Sequence, residues 1–314
     1  MKILCKIILA VILLAVVWAP PGDAGQSLSL ILDWFPNVDH LPIYVARQQG
    51  LFAEEGLEVE IISPSETSDG LKMAATGKVD IAVSYEPQTI IAAARGLDVA
   101  VVGRLIEHPL TTLLFLKDKG FASPKDLAGK KIGYTVPGLM DVLLKAFARV
   151  NHIGEYSAVN VGFAIVQSLT AGQVDAVMGP FKTYETVTMA QKGYEAGYFE
   201  LEKWGIPDYD ELIFITSKKT LAQNPAAMAA FRRVMDRAIR KVRQNPRQAL
   251  ADYFKQVPQA DPKTESEAFN LTLPYYASGQ ASDVGRWQKF ADFASDYDLI
   301  DKKVDVSKLL EAGK

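Results

Sequence analysis

The sequence predicts an α/β protein of two lobes, each carrying a mainly parallel sheet, and three observations predict it. Strand and helix signals alternate from residue 25 onward, the pattern of parallel sheets wound with helices. The chain also echoes itself. Thr76-Gly77-Lys78-Val79-Asp80-Ile81-Ala82-Val83 resembles Ala171-Gly172-Gln173-Val174-Asp175-Ala176-Val177-Met178, in each case a helix ending at glycine, then a short buried strand and a polar loop. A repeat that distant is too long for a solenoid and fits two lobes built to one plan. Finally, apolar strands at 113–116 and 212–216 bracket a segment with its own start signal, which reads as one lobe inserted into the other.

Each element follows in order. Lys2 and Lys6 precede an apolar run at 7–18, too short for the ~20 apolar residues of a membrane span. Gly22 and Ala24 are small residues placed for cleavage before Gly25, so residues 1–24 read as a secretory signal peptide. Cys5 is the chain's single cysteine and falls in that leader. The exported product would then hold neither disulfide nor thiol chemistry. A strand is expected at 27–32, a loop at 33–40 and a helix at 41–48 with Gly50 as its stop. Strand 58–62 and helix 68–75 come next. Ser123-Pro124-Lys125-Asp126-Leu127 opens the inserted segment and 131–134 is its first strand. The expected division is 25–116 with 213–314 for the discontinuous lobe and 117–212 for the inserted one. In the helical C-terminal third, Asn224 is read as a cap before Pro225. Met228, Phe231, Met235, Ala238 and Val242 form an apolar stripe. Arg232, Arg233, Arg237, Arg240, Lys241 and Arg243 then make either a solvated face or a docking face for a membrane permease.

Composition narrows the function. A net charge of −3 with scattered charges over 314 residues offers nothing to nucleic acid or an anionic membrane. The chain contains no GxGxxG, Walker, GxSxG or HExxH motif, and His40, His108 and His152 are not spaced as a metal site. No catalytic residue and no cofactor is expected.

The informative segment is Asp33-Trp34-Phe35-Pro36-Asn37-Val38-Asp39-His40, after the carboxyl end of the first strand, where open α/β sheets bind ligands. Trp34 in a polar loop suits a planar heterocycle, and Asn37 and His40 can each donate and accept hydrogen bonds. The alternative is a core tryptophan whose polar neighbours merely hold the turn. Ser84-Tyr85-Glu86 and Lys182-Thr183-Tyr184-Glu185 follow corresponding strands, each pairing an aromatic with an acid that would face the cleft. A carboxylate can meet the amino and ring-nitrogen edge of an aminopyrimidine with two hydrogen bonds.

These segments carry a family resemblance. The Trp34-x-Pro36-Asn37-x-x-His40 loop, Gly50-Leu51-Phe52 with Gly56-Leu57, 127–133 and 207–212 are similar to the thiamine-pyrimidine-binding family. That family comprises periplasmic substrate-binding proteins of ABC importers and the fungal hydroxymethylpyrimidine phosphate synthases. The resemblance implies a type II periplasmic-binding-protein fold with ligand between the lobes. Trp34 would stack on the pyrimidine, and Asn37 and His40 would line the pocket. Tyr85, His108, Glu185 and Tyr209 match positions near the cleft, although His108 beside Pro109 equally suits a hinge. The synthases carry a lysine for pyridoxal phosphate and a histidine where this chain has Ser84 and Gln88, and serine cannot form a Schiff base. Their cysteine cluster and glycine-rich phosphate loop have no match at 209–214 and 134–140. The expectation is therefore a monomeric periplasmic receptor. It would bind an unphosphorylated aminopyrimidine, of hydroxymethylpyrimidine or formylaminopyrimidine type, and deliver it to an ABC permease with a cytoplasmic ATPase. Rival readings are a receptor for a riboflavin-like heterocycle, or for sulfonate or nitrate using Arg47, Arg95 or Arg104, and a synthase-like enzyme.

Overall fold

Residues 25–310 are described by the computed structural model. Residues 1–24, expected to be a signal peptide and including Cys5, lie outside the described residues. Short runs buried on both faces set the strands, as parallel α/β sheets require. Ile81–Ser84, Ala100–Ile106 and Leu212–Thr216 are buried at every position. The first sheet joins β1 (Gln26–Ile31), β2 (Leu57–Ile62), β3 (Ile81–Ser84), β4 (Ala100–Ile106) and β10 (Leu212–Thr216) in the order β2-β1-β3-β10-β4. The second joins β5 (Thr111–Leu116), β6 (Lys131–Tyr134), β7 (Ser157–Asn160), β8 (Ala176–Phe181) and β9 (Ala196–Glu200) in the order β7-β6-β8-β5-β9. β1 pairs in parallel with β2 and β3, while β10 runs antiparallel to β3 and β4. The second sheet repeats this plan, with β5 the antiparallel strand between β8 and β9.

The internal echo thus falls on β3 and β8, the central strand of each sheet. Each echo enters through a left-handed glycine, Gly77 at φ 68° and Gly172 at φ 65°. One boundary differs from the expected one. β5 belongs to the second sheet, so the chain first crosses between lobes at 107–110 and not after Leu116. An apolar strand looks the same whichever sheet it joins, and its antiparallel pairing with β8 depends on residues 61–70 positions away. The return crossing lies just before β10.

The crossings are tied together by buried acids. Glu211 accepts the N–H groups of Leu110 (2.6 Å) and Thr111 (2.7 Å) and the Thr111 hydroxyl (2.7 Å). Asp210 accepts Trp287 Nε1–H (2.8 Å) and Arg104 Nη1–H (3.2 Å), and also pairs with Arg286.

The helix Pro225–Gln244 buries the expected stripe together with Val234 and Ile239, and Phe231 packs on Phe52 and Phe214. Asn224 occupies the cap position, yet its Oδ1 accepts from Gln26 and not from the helix. The cationic face is largely committed. Arg233 and Arg237 pair with Glu55 and Glu54, Arg240 pairs with Asp236, and Arg243 donates to Tyr276 O. Among the described residues no helix is long and apolar enough to cross a membrane.

Candidate functional site

The loops after β1 and β3 face the loops after β6 and β8, and between them lies a cavity of about 20 Å³. The first lobe contributes Asp33, Trp34, Asn37, Asp39, His40 and Tyr85 to its wall; the second contributes Thr135, Ile165, Phe181, Tyr184 and Glu185. That volume holds about one water molecule, so a six-membered ring needs the lobes to part or the wall to move. Gly179 of β8 also lines the cavity with φ at 123°. A Cβ there would lie 2.0 Å from Thr135 Oγ1. Only glycine lets these two segments approach so closely.

On the first-lobe wall, Asn37 is extended (φ −149°) and its Oδ1 accepts Asp39 N–H at 2.8 Å, starting the turn Val38–His40. The helix Leu41–Gln48 follows directly, with Pro42 in its first turn. The turn is anchored from behind, where Val38 N–H donates to Glu265 (2.9 Å) and Tyr276 Oη–H donates to Val38 O (2.5 Å). Asp33 accepts at both oxygens, with His40 Nε2 at 2.8 Å and Tyr85 Oη at 2.7 Å. This pairing occupies His40 Nε2 and leaves His40 Nδ1 as a buried atom without a partner. Asp39 Oδ1 accepts from Thr272 at 3.1 Å, and its buried Oδ2 has no partner.

Trp34 reaches across the cleft. It is half-buried against the second lobe's small apolar cluster and meets Phe163 edge-on, with ring centroids 4.5 Å apart. Phe35, 51 % exposed, lies beside the same Phe163 at 4.4 Å. On the second-lobe wall, Tyr184 and Glu185 begin the helix Glu185–Gln191, where Glu185 accepts Phe181 N–H at 2.7 Å. Three further bonds link the lobes around the cavity: Tyr184 Oη–H to Glu265 (2.8 Å), Thr264 Oγ1–H to Gln191 (2.7 Å) and Thr67 Oγ1–H to Thr135 O (2.8 Å).

Burial dominates the site's electrostatics by disfavouring the charged forms. Desolvation pushes Asp39 up to about 8, opposed by His40 and reinforced by Glu185 across the cavity. It pushes Glu185 up to about 7, against the Phe181 N–H that favours the anion. No lysine or arginine lines the cavity.

Five of the seven predicted site residues, Trp34, Asn37, His40, Tyr85 and Glu185, therefore meet around one cavity. His108 and Tyr209 do not. The His108 side chain is 52 % exposed and bonded to Asp208 at the first crossing. Tyr209 is buried against Phe290, with its hydroxyl toward Glu211. Both sit at the crossings because the chain there serves the lobe junction and not the wall. Glu86 fails the expected match with Glu185. Its carboxyl turns inward and accepts Asp210 N–H at 2.7 Å, so in the first lobe only the aromatic of the pair reaches the cleft. Tyr184, the expected aromatic partner of Glu185, lies in the wall, and Asp33, Asp39 and Thr135 join it without a sequence signal of their own. Asp33 and Asp39 flank a turn, where acids are common for local reasons, so nothing in their spacing separates the two roles.

Two interleaved sheets, each with one antiparallel strand, joined by two crossings and enclosing a polar–aromatic cleft, define the type II periplasmic-binding-protein fold. The solved structures agree on it. The alkanesulfonate-binding protein of Xanthomonas axonopodis pv. citri superposes with a TM-score of 0.72 over 90 % of this chain and 97 % of that one, at 16 % identity. A Candida albicans gene product described as having the generic periplasmic binding protein fold superposes at 0.67, over 92 % and 95 %, with 17 % identity. A family profile described as NMT1/THI5 like matches residues 37–249. This chain belongs to that family. It is 36 % identical over 288 residues, 90 % of each chain, to a protein of Haemophilus influenzae named a putative thiamine biosynthesis protein. It is 29 % identical, over 91 % of this chain and 90 % of the other, to the formylaminopyrimidine-binding protein of Halalkalibacterium halodurans. It is 26 % identical, over 90 % of both, to the 4-amino-5-hydroxymethyl-2-methylpyrimidine phosphate synthase of Legionella pneumophila.

Proposed function

We propose that this protein is the extracytoplasmic solute-binding component of an ABC importer and that its cargo is an unphosphorylated aminopyrimidine precursor of thiamine. The observation that carries the reading is the cavity wall itself. An indole from one lobe stands beside buried carboxyls from both, with no lysine or arginine among them. An indole offers stacking to a flat ring, and carboxyls offer partners to amino and ring-nitrogen edges. Trp34 and Glu185 come from different lobes, so a ligand touching both favours the closed state over the open one. A permease in the membrane would then receive that closed form.

The same wall argues against an anionic cargo. Arg104 is engaged by Asp210, Glu107 and Gly279 O at the lobe junction, Arg47 by Gln256 at the surface, and Arg95 is exposed. At the start of the helix Met140–Val150, where a phosphate would be cradled, Asp141 already accepts Gly138 N–H at 2.6 Å. The synthase reading meets a further obstacle in the first lobe. Ser84 and Gln88 are both buried, and Ser84 Oγ–H donates to Gln88 Oε1 at 2.9 Å. Neither can form an imine with pyridoxal phosphate.

A thermal-shift screen of thiamine precursors, flavins, sulfonates and nitrate tests the cargo, because a ligand that binds the folded state raises Tm by mass action. A shift with 4-amino-5-hydroxymethyl-2-methylpyrimidine or its formylamino relative, and none with the anions, is expected. A shift with sulfonate or nitrate alone would overturn the reading. Incubation with iron and pyridoxal phosphate should give no pyrimidine phosphate, and turnover would move the protein to the enzyme class.

A further inference from the structure

Asp39 is a wall residue with little structural employment. Its side chain is 1 % exposed, one carboxyl oxygen holds only the Thr272 hydroxyl, and the other is a buried atom with no partner. A buried polar atom left unpaired costs about 1–3 kcal/mol, which marks a position kept for something other than stability. Asp39 comes from the first lobe and Glu185 from the second, and the two sense each other's charge across the same cavity. Two carboxyls confined without a lysine or arginine cannot both stay ionised at low cost. Protonated, each presents an O–H donor to the cavity.

We infer that Asp39 is a second specificity-determining residue, whose carboxyl meets one ring nitrogen of the ligand while Glu185 meets the other. The inference rests on the aminopyrimidine reading and narrows it to a diazine read on two edges. A ring with a single nitrogen would leave one of the two buried carboxyls without a partner. Burial, which pushes Asp39 up to about 8 and Glu185 up to about 7, keeps Asp39 mostly protonated near neutral pH and leaves Glu185 about half protonated. A neutral carboxyl can donate to a neutral ring nitrogen or hand it the proton, and the pair carries one proton either way.

Calorimetry with three ligands tests this: 4-amino-5-hydroxymethyl-2-methylpyrimidine and its two pyridine analogues, each with one ring nitrogen replaced by C–H. The wild-type chain should bind each analogue about tenfold more weakly than the parent, the penalty for an unmet buried donor. Asp39→Leu should bind the parent about tenfold more weakly and should no longer distinguish it from one of the analogues. Asp39→Asn, whose amide N–H can still donate to a ring nitrogen, should recover both affinity and discrimination. Should Asp39→Leu fail to fold by its melting curve, Asp39→Ala is read in the same comparison. If the substituted chain discriminates both analogues as the wild type does, Asp39 is only a scaffold residue and the inference falls alone. If the wild-type chain binds none of the three, the aminopyrimidine reading falls and takes the inference with it.

Discussion

Replacing Trp34 with alanine separates a stacking platform from a mere filler of the cleft. Trp34 is half-buried, and the rings beside it, Phe35 and, from the opposite lobe, Phe163, are both steeply inclined to the indole, so neither is stacked parallel on it. Removing the indole takes away ring stacking worth roughly 0.5–1.5 kcal/mol beyond area burial, together with part of the apolar cover over the ligand. The sum is about 1–3 kcal/mol, the range of a buried aromatic anchor. At 1.4 kcal/mol per decade, that is a loss of roughly five- to 150-fold in Kd for 4-amino-5-hydroxymethyl-2-methylpyrimidine by calorimetry. The substitution also removes a contact between lobes, and so could weaken closure without any stacking. Phe163→Ala separates the two effects. It breaks the same lobe contact from the other side and should cost clearly less than Trp34→Ala. Affinity unchanged in Trp34→Ala, or equal losses in both variants, would refute the stacking role.

Further outcomes are expected elsewhere in the site and at the crossings. Glu185→Gln should weaken binding of an amino-substituted pyrimidine more than of one lacking the amino group; equal losses would remove the carboxyl from that edge. Asp39, Glu185 and Glu211 all keep protons in the folded state that the unfolded chain releases near pH 4, with folded values of about 8, 7 and 7. Between those limits the folded state binds more protons than the unfolded state, so stability falls as pH rises. Melting curves of the ligand-free protein should therefore drop from pH 5 to pH 8.5 by virtue of these groups, and Asp39→Asn with Glu185→Gln should flatten the slope. A wild-type slope retained in the double variant would show that other groups set it. Glu211→Ala strips the acceptor from the Leu110 and Thr111 N–H groups, and stability to denaturant should fall by about 2–5 kcal/mol. A loss under 1 kcal/mol would mean that water replaces the carboxylate at the crossing.

Much of this protein is written locally and was legible for that reason. The apolar strand runs, the helical patterns, the glycines that end helices and the echo of 76–83 in 171–178 depend on neighbouring residues, and the echo falls on β3 and β8 at matching places in the two sheets. Gly103 and Arg104 interrupt the apolar run of β4 and blur its strand signal, although in the sheet every one of its residues is buried. The loop 33–40 declared itself by an indole among polar residues. Its neighbours did not, because Asp33 and Asp39 have the chemistry of any turn.

What the sequence determined alone was many of the elements, their duplication and the segment most worth watching. The tertiary structure decided which side chains share the cavity. Tyr85 and Glu185 arrive from positions 100 apart while Glu86, one residue along, turns into the lobe junction toward Asp210. The reason is that a strand or helix start sends adjacent side chains in different directions, and which direction meets the cleft depends on how two lobes dock. The raised proton affinities of Asp39 and Glu185 likewise come from burial, which no spacing along a chain encodes.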